Sequence, residues 1–528
     1  MRPKPPGDPL VLILTIGLGA FVRFLPVATH RLPLNDGGLF YSMTGDLLAN
    51  GMRVPLMTTY NGGSIPFTYP PLGFYLTAGL HLTTGASLLD VMAWLPALIA
   101  TLTIPAFYLL ARRLVGRSDL ASMATLVFAL IPRSYEWLIM GGGITRAPAM
   151  LFALLALAAV IRLVHRPTWK AASLLGILIA LTALSHLEVA WFTVFSLGLV
   201  AALSGRTRAV LARLAWSLGL AALLSALWWI PLLLRHGISP FMQAAAAGRH
   251  TMGYASAILT SLTGEPYYGA FLFLGILGAL ACLARREWLL PLWLGAILLL
   301  DPRAAGTDAS VPISLLASVA LIRIVLPALS AARASAQSHG SPSSSRELSE
   351  AIPSMRARRL AMLVLALYGT PSAMLAFFLP GSSLASTLRP GEVETLRWIG
   401  DSTTPGRTFL VVSGRTAWES DPLSEWFPAL TRQVSLATPQ GREWLGTLSE
   451  SGRRHRALQE CAVRGLPCLQ AWLADHPGPE PDVILVARYP QASGIQTVAL
   501  IEGLERSSEY HVIFSGSDAV AFGRKAAR

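Results

Sequence analysis

LLDVMAWLPALIATLTIPAFYLLA, residues 88–111, is followed at once by Arg112, Arg113 and Arg117. Its 24 residues carry one charge, Asp90, and exceed the ~20 apolar residues that span a bilayer as a helix. Basic residues crowded at one end of such a span mark the cytoplasmic side. Working outward, the same pattern recurs. Apolar stretches lie at 10–25, 88–111, 120–131, 147–164, 169–184, 189–203, 211–234, 268–283, 288–300, 310–329 and 360–379, eleven in all.

Composition agrees. Hydrophobic residues make up 53% of the 528 and charged residues 13%, about half the ~25% of soluble domains. Mean hydropathy is +0.53. A chain this apolar needs lipid as its solvent, which excludes an ordinary cytosolic enzyme. The net charge of +13 is therefore a topology signal and does not point to nucleic acid.

The connections alternate in chemistry. One set holds Arg2 and Lys4; Arg112, Arg113 and Arg117; Arg162, Arg166 and Lys170; Arg206, Arg208 and Arg213; Arg285 and Arg286; and Arg333, Arg346, Arg356, Arg358 and Arg359. These are expected inside. The other set, 26–87, 132–146, 235–266 and everything after 380, is expected outside. Residues 73–83 are apolar for only 11 positions, the length of an interfacial helix, and counting them as a span would invert every later loop. The first stretch reads as a retained span, since Arg23 lies within it and no small-residue cleavage pattern follows. Residues 337–349 are Ser-rich and read as a cytoplasmic linker. The expected architecture is an α-helical polytopic membrane protein of about eleven transmembrane helices over 1–380, with an extracytoplasmic α/β domain over 381–528.

In that second domain 408–412 and 482–487 read as buried strands, 510–514 and 519–522 as a closing pair, and 393–399 and 454–463 as helical turns. Cys461 and Cys468 are seven apart and suit a disulfide in an oxidising exterior, or two buried thiols; Cys282 lies in the eighth span.

The loop 26–87 holds all three asparagines of the chain, Asn35, Asn50 and Asn61. It carries Leu34-Asn35-Asp36-Gly37-Gly38 and later Pro66-Phe67-Thr68-Tyr69-Pro70-Pro71-Leu72. Asp36, beside the membrane surface, suits a general base. Equally, Asn35 or Asp36 suits the N-cap of a helix through Leu39, Met43 and Leu47. Arg146 follows Gly141-Gly142-Gly143-Ile144-Thr145, whose glycines permit backbone approach to a ligand, and it suits a phosphate or a headgroup. Glu136, His186 and Glu188 sit at the same expected surface, His186 and Glu188 in a turn between the fifth and sixth spans. Asp36, Glu136 and Glu188 could together hold a divalent cation. The runs Trp418-Glu419-Ser420-Asp421, Glu425-Trp426-Phe427-Pro428 and Gln440-Gly441-Arg442-Glu443-Trp444 set aromatic faces beside acids, which suits either sugar rings or a small core.

The order of these features resembles the GT-C superfamily of membrane glycosyltransferases. The likeness rests on a first span, an acid opening the first outer loop, Tyr69-Pro70-Pro71-Leu72 later in it, and an outer C-terminal domain. It leans toward the family 39 branch of protein O-mannosyltransferases and lipid A aminoarabinose transferases. The resemblance implies a polyprenyl-phosphate sugar donor and inverting transfer on the outer face. With the residue readings above, Asp36 is expected as the catalytic base, and Asn35, Tyr69, Glu136, Arg146, His186 and Glu188 at the substrate. Many relatives have two adjacent acids where this chain has Asn35-Asp36, and Lys or His where it has Tyr69. Arg146, or Arg53, would then meet the phosphate. The acceptor is expected to be a lipid, glycan or protein hydroxyl, and the location the plasma membrane, since the chain lacks an Asn-x-Ser/Thr sequon. The rival readings are a lipid or polysaccharide transporter, against which the chain shows no internal repeat, and a non-catalytic sugar-binding scaffold.

Overall fold

The computed structural model describes residues 9–30, 32–204, 207–247, 262–337, 354–379, 387–489 and 495–525. Residues 338–349 of the expected linker and the expected boundary at 380 lie outside them.

Each of the eleven apolar stretches is a helix. They are α1 (Pro9–His30), α4 (Leu88–Val115), α5 (Ser118–Leu130), α6 (Gly143–His165), α7 (Trp169–Ser185), α8 (Leu187–Ser204), α9 (Arg208–His236), α11 (Ala270–Ala284), α12 (Leu289–Leu300), α13 (Ala305–Ala320) and α15 (Met355–Phe378). A π turn, Leu321–Val325, carries α13 on into α14 (Leu326–Gln337), and the short α10 (Ser239–Ala247) follows α9. Seven of the helices, the tenth taken as Ala305–Ala332, are long and apolar enough to cross a membrane; α5, α7, α11 and α12 are shorter. Leucine-rich faces such as Leu223, Leu227 and Leu234 on α9 stay exposed, as suits a lipid boundary, while α6 and α13 are mostly buried at the centre. Arg23 is fully buried in α1, yet bonds the carbonyls of Gly19 and Ala129 and lies over the Tyr135 ring.

The loop after α1 folds into α2 (Gly38–Ala49), a two-stranded ribbon β1 (Met57–Thr58) and β2 (Ile65–Pro66), and α3 (Leu72–Thr84). The last is the expected short helix. After residue 387 come α16 (Pro390–Ser402), β3 (Thr408–Val412), α17 (Pro422–Thr431), β4 (Val434–Ser435), α18 (Leu448–Arg464), α19 (Leu466–Asp475), β5 (Val483–Ala487), α20 (Val498–Arg506), β6 (Tyr510–Ser515) and β7 (Ala519–Arg524). The strands form one sheet in the order β4-β3-β5-β7-β6. β3 is parallel to β4 and β5, whereas β7 is antiparallel to β5 and β6. β5 is buried on both faces because helices cover both, which is why it reads as an unbroken apolar run. Cys461 and Cys468 are disulfide-bonded, tying α18 to α19.

The sheet unit docks on the loop after α1 through a shared apolar core. Leu39, Phe40, Met43 and Leu47 of α2, with Tyr60, Phe67 and Phe74, pack with Leu396, Phe409, Trp426 and Phe427. Asn61 exchanges two hydrogen bonds with the Ser435 backbone (2.7 and 3.1 Å), and Tyr60 donates to the Glu425 carbonyl (2.8 Å).

Candidate active site

The α1–α2, α5–α6, α7–α8 and α12–α13 connections share one end of the bundle. The Arg-rich connections take the other, where Arg117 and Arg358 both pair with Asp119 (2.7 and 2.8 Å). Between the first set and the sheet unit lies a cavity of about 450 Å³. Asp36, Tyr69, Arg146, His186 and Glu188 all open onto it, as do Trp418, Glu419, Glu425, Gln440 and Glu443 from the sheet unit.

Asp36 is placed by backbone geometry. Asn35 adopts φ 50° and Gly37 φ 124°, so the chain reverses sharply around it. Asn tolerates that region better than other L residues, and glycine occupies it without a Cβ penalty. The turn runs beside the glycine triplet: Leu34 bridges Met140 in parallel, and Gly141 donates to the Leu34 carbonyl at 2.9 Å. A Cβ on Gly141 would lie 1.9 Å from the Asp36 carbonyl oxygen. The triplet thus admits the Asp36 backbone, which corrects the expectation that it admits a ligand. Asp36 Oδ1 accepts from the Gly142 amide at the start of α6 (2.7 Å), where the helix dipole favours negative charge. Its Oδ2 pairs with Arg146 at 2.8 Å, and the Arg146 guanidinium faces Trp137 at 5.3 Å.

The capping expectation is corrected as well. Gly37 is the N-cap of α2 and no side chain of its own loop caps it. Glu425 does so from the sheet unit, its Oε1 accepting from Gly37 (2.8 Å) and Gly38 (3.1 Å) while Oε2 accepts from Gln440 (3.2 Å). Burial, with the nearby Asp36 charge, pushes the Glu425 carboxyl up from its ordinary value. Asn35 likewise serves the dock, donating to the Glu419 carbonyl at 2.9 Å, and Trp426 donates to the Asn35 carbonyl at 3.1 Å.

Tyr69 donates to Glu443 and packs edge-on to Phe40 and Trp444, each at 5.0 Å. Burial first, then Glu443, raises its hydroxyl well above the usual value, so it acts as a neutral donor. His186 ends α7; burial and the charges of Arg146 and Arg303 hold it down to about 3, so it is neutral. Glu188 begins α8 and faces Arg303 at 3.6 Å. Glu136 does not reach the cavity wall. It is fully buried behind Arg133, with which it pairs, and burial raises its carboxyl. Arg53 is exposed and does not line the cavity either.

Asp36, Glu136 and Glu188 therefore do not assemble as a cation site, each being turned to its own cationic partner. Among the described residues no group of three His, Cys, Asp or Glu side chains could share an ion. What the sequence reading passed over is the α12–α13 connection, which brings Arg303 and Asp308 to the wall, next to Asp301. The available signal was two acids flanking the boundary of adjacent apolar spans.

Residues 67–323 match a family described as 6-pyruvoyl-tetrahydropterin synthase related domain, membrane protein. No curated protein matches the sequence. Similar structures include ArnT from Cupriavidus metallidurans bound to undecaprenyl phosphate, with 15% identity over 98% of this chain and 98% of that one and a TM-score of 0.57. The archaeal oligosaccharyltransferase AglB of Archaeoglobus fulgidus, in complex with an inhibitory peptide and a dolichol-phosphate, has 16% identity over 98% of this chain and 74% of its own, with a TM-score of 0.55. An Archaeoglobus fulgidus oligosaccharyltransferase in complex with Zn and sulfate is also similar, with 16% identity over 97% of this chain and 73% of its own and a TM-score of 0.52. The arabinofuranosyltransferase AftD of mycobacteria has 16% identity over 99% of this chain and 40% of its own, with a TM-score of 0.55. The chain has the fold of the GT-C membrane glycosyltransferases.

Proposed function

We propose that the chain transfers a sugar from a polyprenyl-phosphate donor to an acceptor hydroxyl, with inversion, on the outer face of a plasma membrane. The observation that carries this reading is the Asp36–Arg146 pair opening onto the cavity at one end of the helical bundle. Two proteins of the same fold hold polyprenyl phosphates. In the proposed step Asp36 takes the proton of the acceptor hydroxyl, and the oxygen attacks the anomeric carbon. The bond from that carbon to the phosphate oxygen breaks, and polyprenyl phosphate leaves with its electron pair. Arg146 and Arg303 face the leaving group and stabilise its charge. Neutral His186 and Tyr69 add no positive charge of their own, and Tyr69 closes the wall toward the sheet unit.

The region 1–380 would supply the lipid path and the base, and 381–528 the roof. Glu425 and Asn35 hold that roof over Asp36, so they are positioning residues. The acceptor reaches the cavity from the side of the sheet unit, whose acids and tryptophans suit a glycan, a lipid headgroup or a peptide.

Mass spectrometry of lipid-linked sugars in cells lacking the protein tests this. One polyprenyl-phosphate sugar should accumulate, and wild type should clear it while Asp36→Asn does not. An unchanged pool of lipid-linked sugars would overturn the reading.

A further inference from the structure

The cavity has a second pole that the transfer step leaves unused. Asp308, in the first turn of α13, is 1% exposed, and neither carboxyl oxygen has a hydrogen-bond partner among the described residues. It nevertheless lines the cavity. A carboxylate buried without donors is costly, and native interiors rarely leave both oxygens so. The cavity's arginines do not explain it. Arg146 is turned to Asp36, Arg133 to Glu136 and Arg303 to Glu188. Asp301, close enough to repel Asp308, also has an orphan oxygen, Oδ2.

We propose that Asp308 is a sugar-hydroxyl subsite: it accepts hydrogen bonds from adjacent ring hydroxyls of the sugar whose phosphate faces Arg146 and Arg303. This rests on the transfer reading. One wall carries guanidinium groups, which suit a phosphate, and the other carries a buried carboxyl whose two oxygens have no partner among the described residues. A glycosyl phosphate offers both an anion and neutral O–H donors, and its adjacent hydroxyls can meet the two oxygens of one carboxylate together. Buried hydrogen bonds of that kind discriminate strongly, because a ligand without the hydroxyls leaves the carboxyl unpaired. A cation is the weaker fit, since no three ligand side chains converge there among the described residues.

The test is saturation-transfer NMR on the full chain in nanodiscs, with a panel of glucose, mannose, galactose and arabinose 1-phosphates and inorganic phosphate as competitor. Wild type should bind at least one sugar phosphate more tightly than inorganic phosphate. Asp308→Asn should weaken that sugar phosphate about tenfold or more and leave inorganic phosphate unchanged. Melting curves check folding, and Asp308→Glu, which keeps the acceptors but shifts them by one methylene, should fall between the two. Equal binding of every sugar phosphate by wild type and Asp308→Asn would overturn the proposal. So would sugar phosphates binding no better than inorganic phosphate, or binding that EDTA abolishes and Mn²⁺ restores. If instead sugar phosphate binding depends on Asp308 while cells lacking the protein keep a normal lipid-linked pool, the transfer reading fails and the subsite stands.

Discussion

Asp36 and Asp308 are carboxylates in the walls of one cavity, and the fold treats them oppositely. Asp36 is fully engaged, by an amide at the start of α6 and by Arg146. Asp308 is more deeply buried and has no donor among the described residues. The first arrangement fixes an oxygen in position and tolerates its charge before anything binds, as a group acting on a passing proton requires. The second leaves hydrogen-bonding capacity to be met by whatever enters, as recognition requires. The comparison assigns chemistry to one pole and selection to the other.

Mutations at the two poles should have effects of different size and kind. The largest effect belongs to Asp36→Asn, which keeps an acceptor for the Gly142 amide but removes the base, and should lower the rate of transfer by about 10²–10⁴ with donor binding retained. Gly142→Ala should come next. Its Cβ would lie 2.8 Å from both Asp36 Oδ2 and the Phe40 ring and 3.0 Å from Arg146, so the pair must shift. A displacement of about 1 Å costs on the order of 10² in rate, measured in the same assay. Arg146→Lys keeps the charge and loses the fork, so transfer should fall about tenfold, mostly through weaker binding of the phosphate.

Smaller effects fall on the dock. Because the Glu425 carboxyl is raised in the folded protein by burial and by Asp36, its neutral form is the one the fold favours. The contribution is complete below the ordinary carboxyl value and is lost as pH rises through the raised one. Wild type should therefore melt lower at about pH 8.5 than at about pH 5.5, and Glu425→Gln should flatten that difference. A pH slope unchanged in Glu425→Gln would remove Glu425 from the account of the roof. Smallest for activity is Cys461→Ser, far from both poles: it should cost about 2–3 kcal/mol of stability in the sheet unit and leave the rate of transfer unchanged.

The bundle was legible because lipid demands one signal, and each of the eleven stretches carries it without help from distant residues. The strands of the sheet unit were legible for the same reason, since β3 and β5 are short apolar runs whatever lies beside them. The site was legible only where a residue announces itself locally. Asp36 stood out between Asn35 and two glycines, and Arg146 after three. Their pairing did not, because it depends on the Leu34–Met140 bridge across more than a hundred residues. The N-cap of α2 was misassigned because its capping carboxylate, Glu425, lies on another unit, nearly four hundred residues away. Glu136 looked like a surface acid by position, and only packing reveals that Arg133 covers it. Asp308 falls in the gap between the stretches that end at 300 and begin at 310, where an acid reads as the ragged edge of a span.

The account turns on a single displacement driven from the Asp36 pole, and the anomeric configuration of the product reports on it most directly. Proton NMR of the sugar transferred by purified wild type should show the configuration opposite to that of the donor. A retained configuration would mean two displacements through a covalent sugar–enzyme intermediate, and would contradict Asp36 as a base acting on the acceptor.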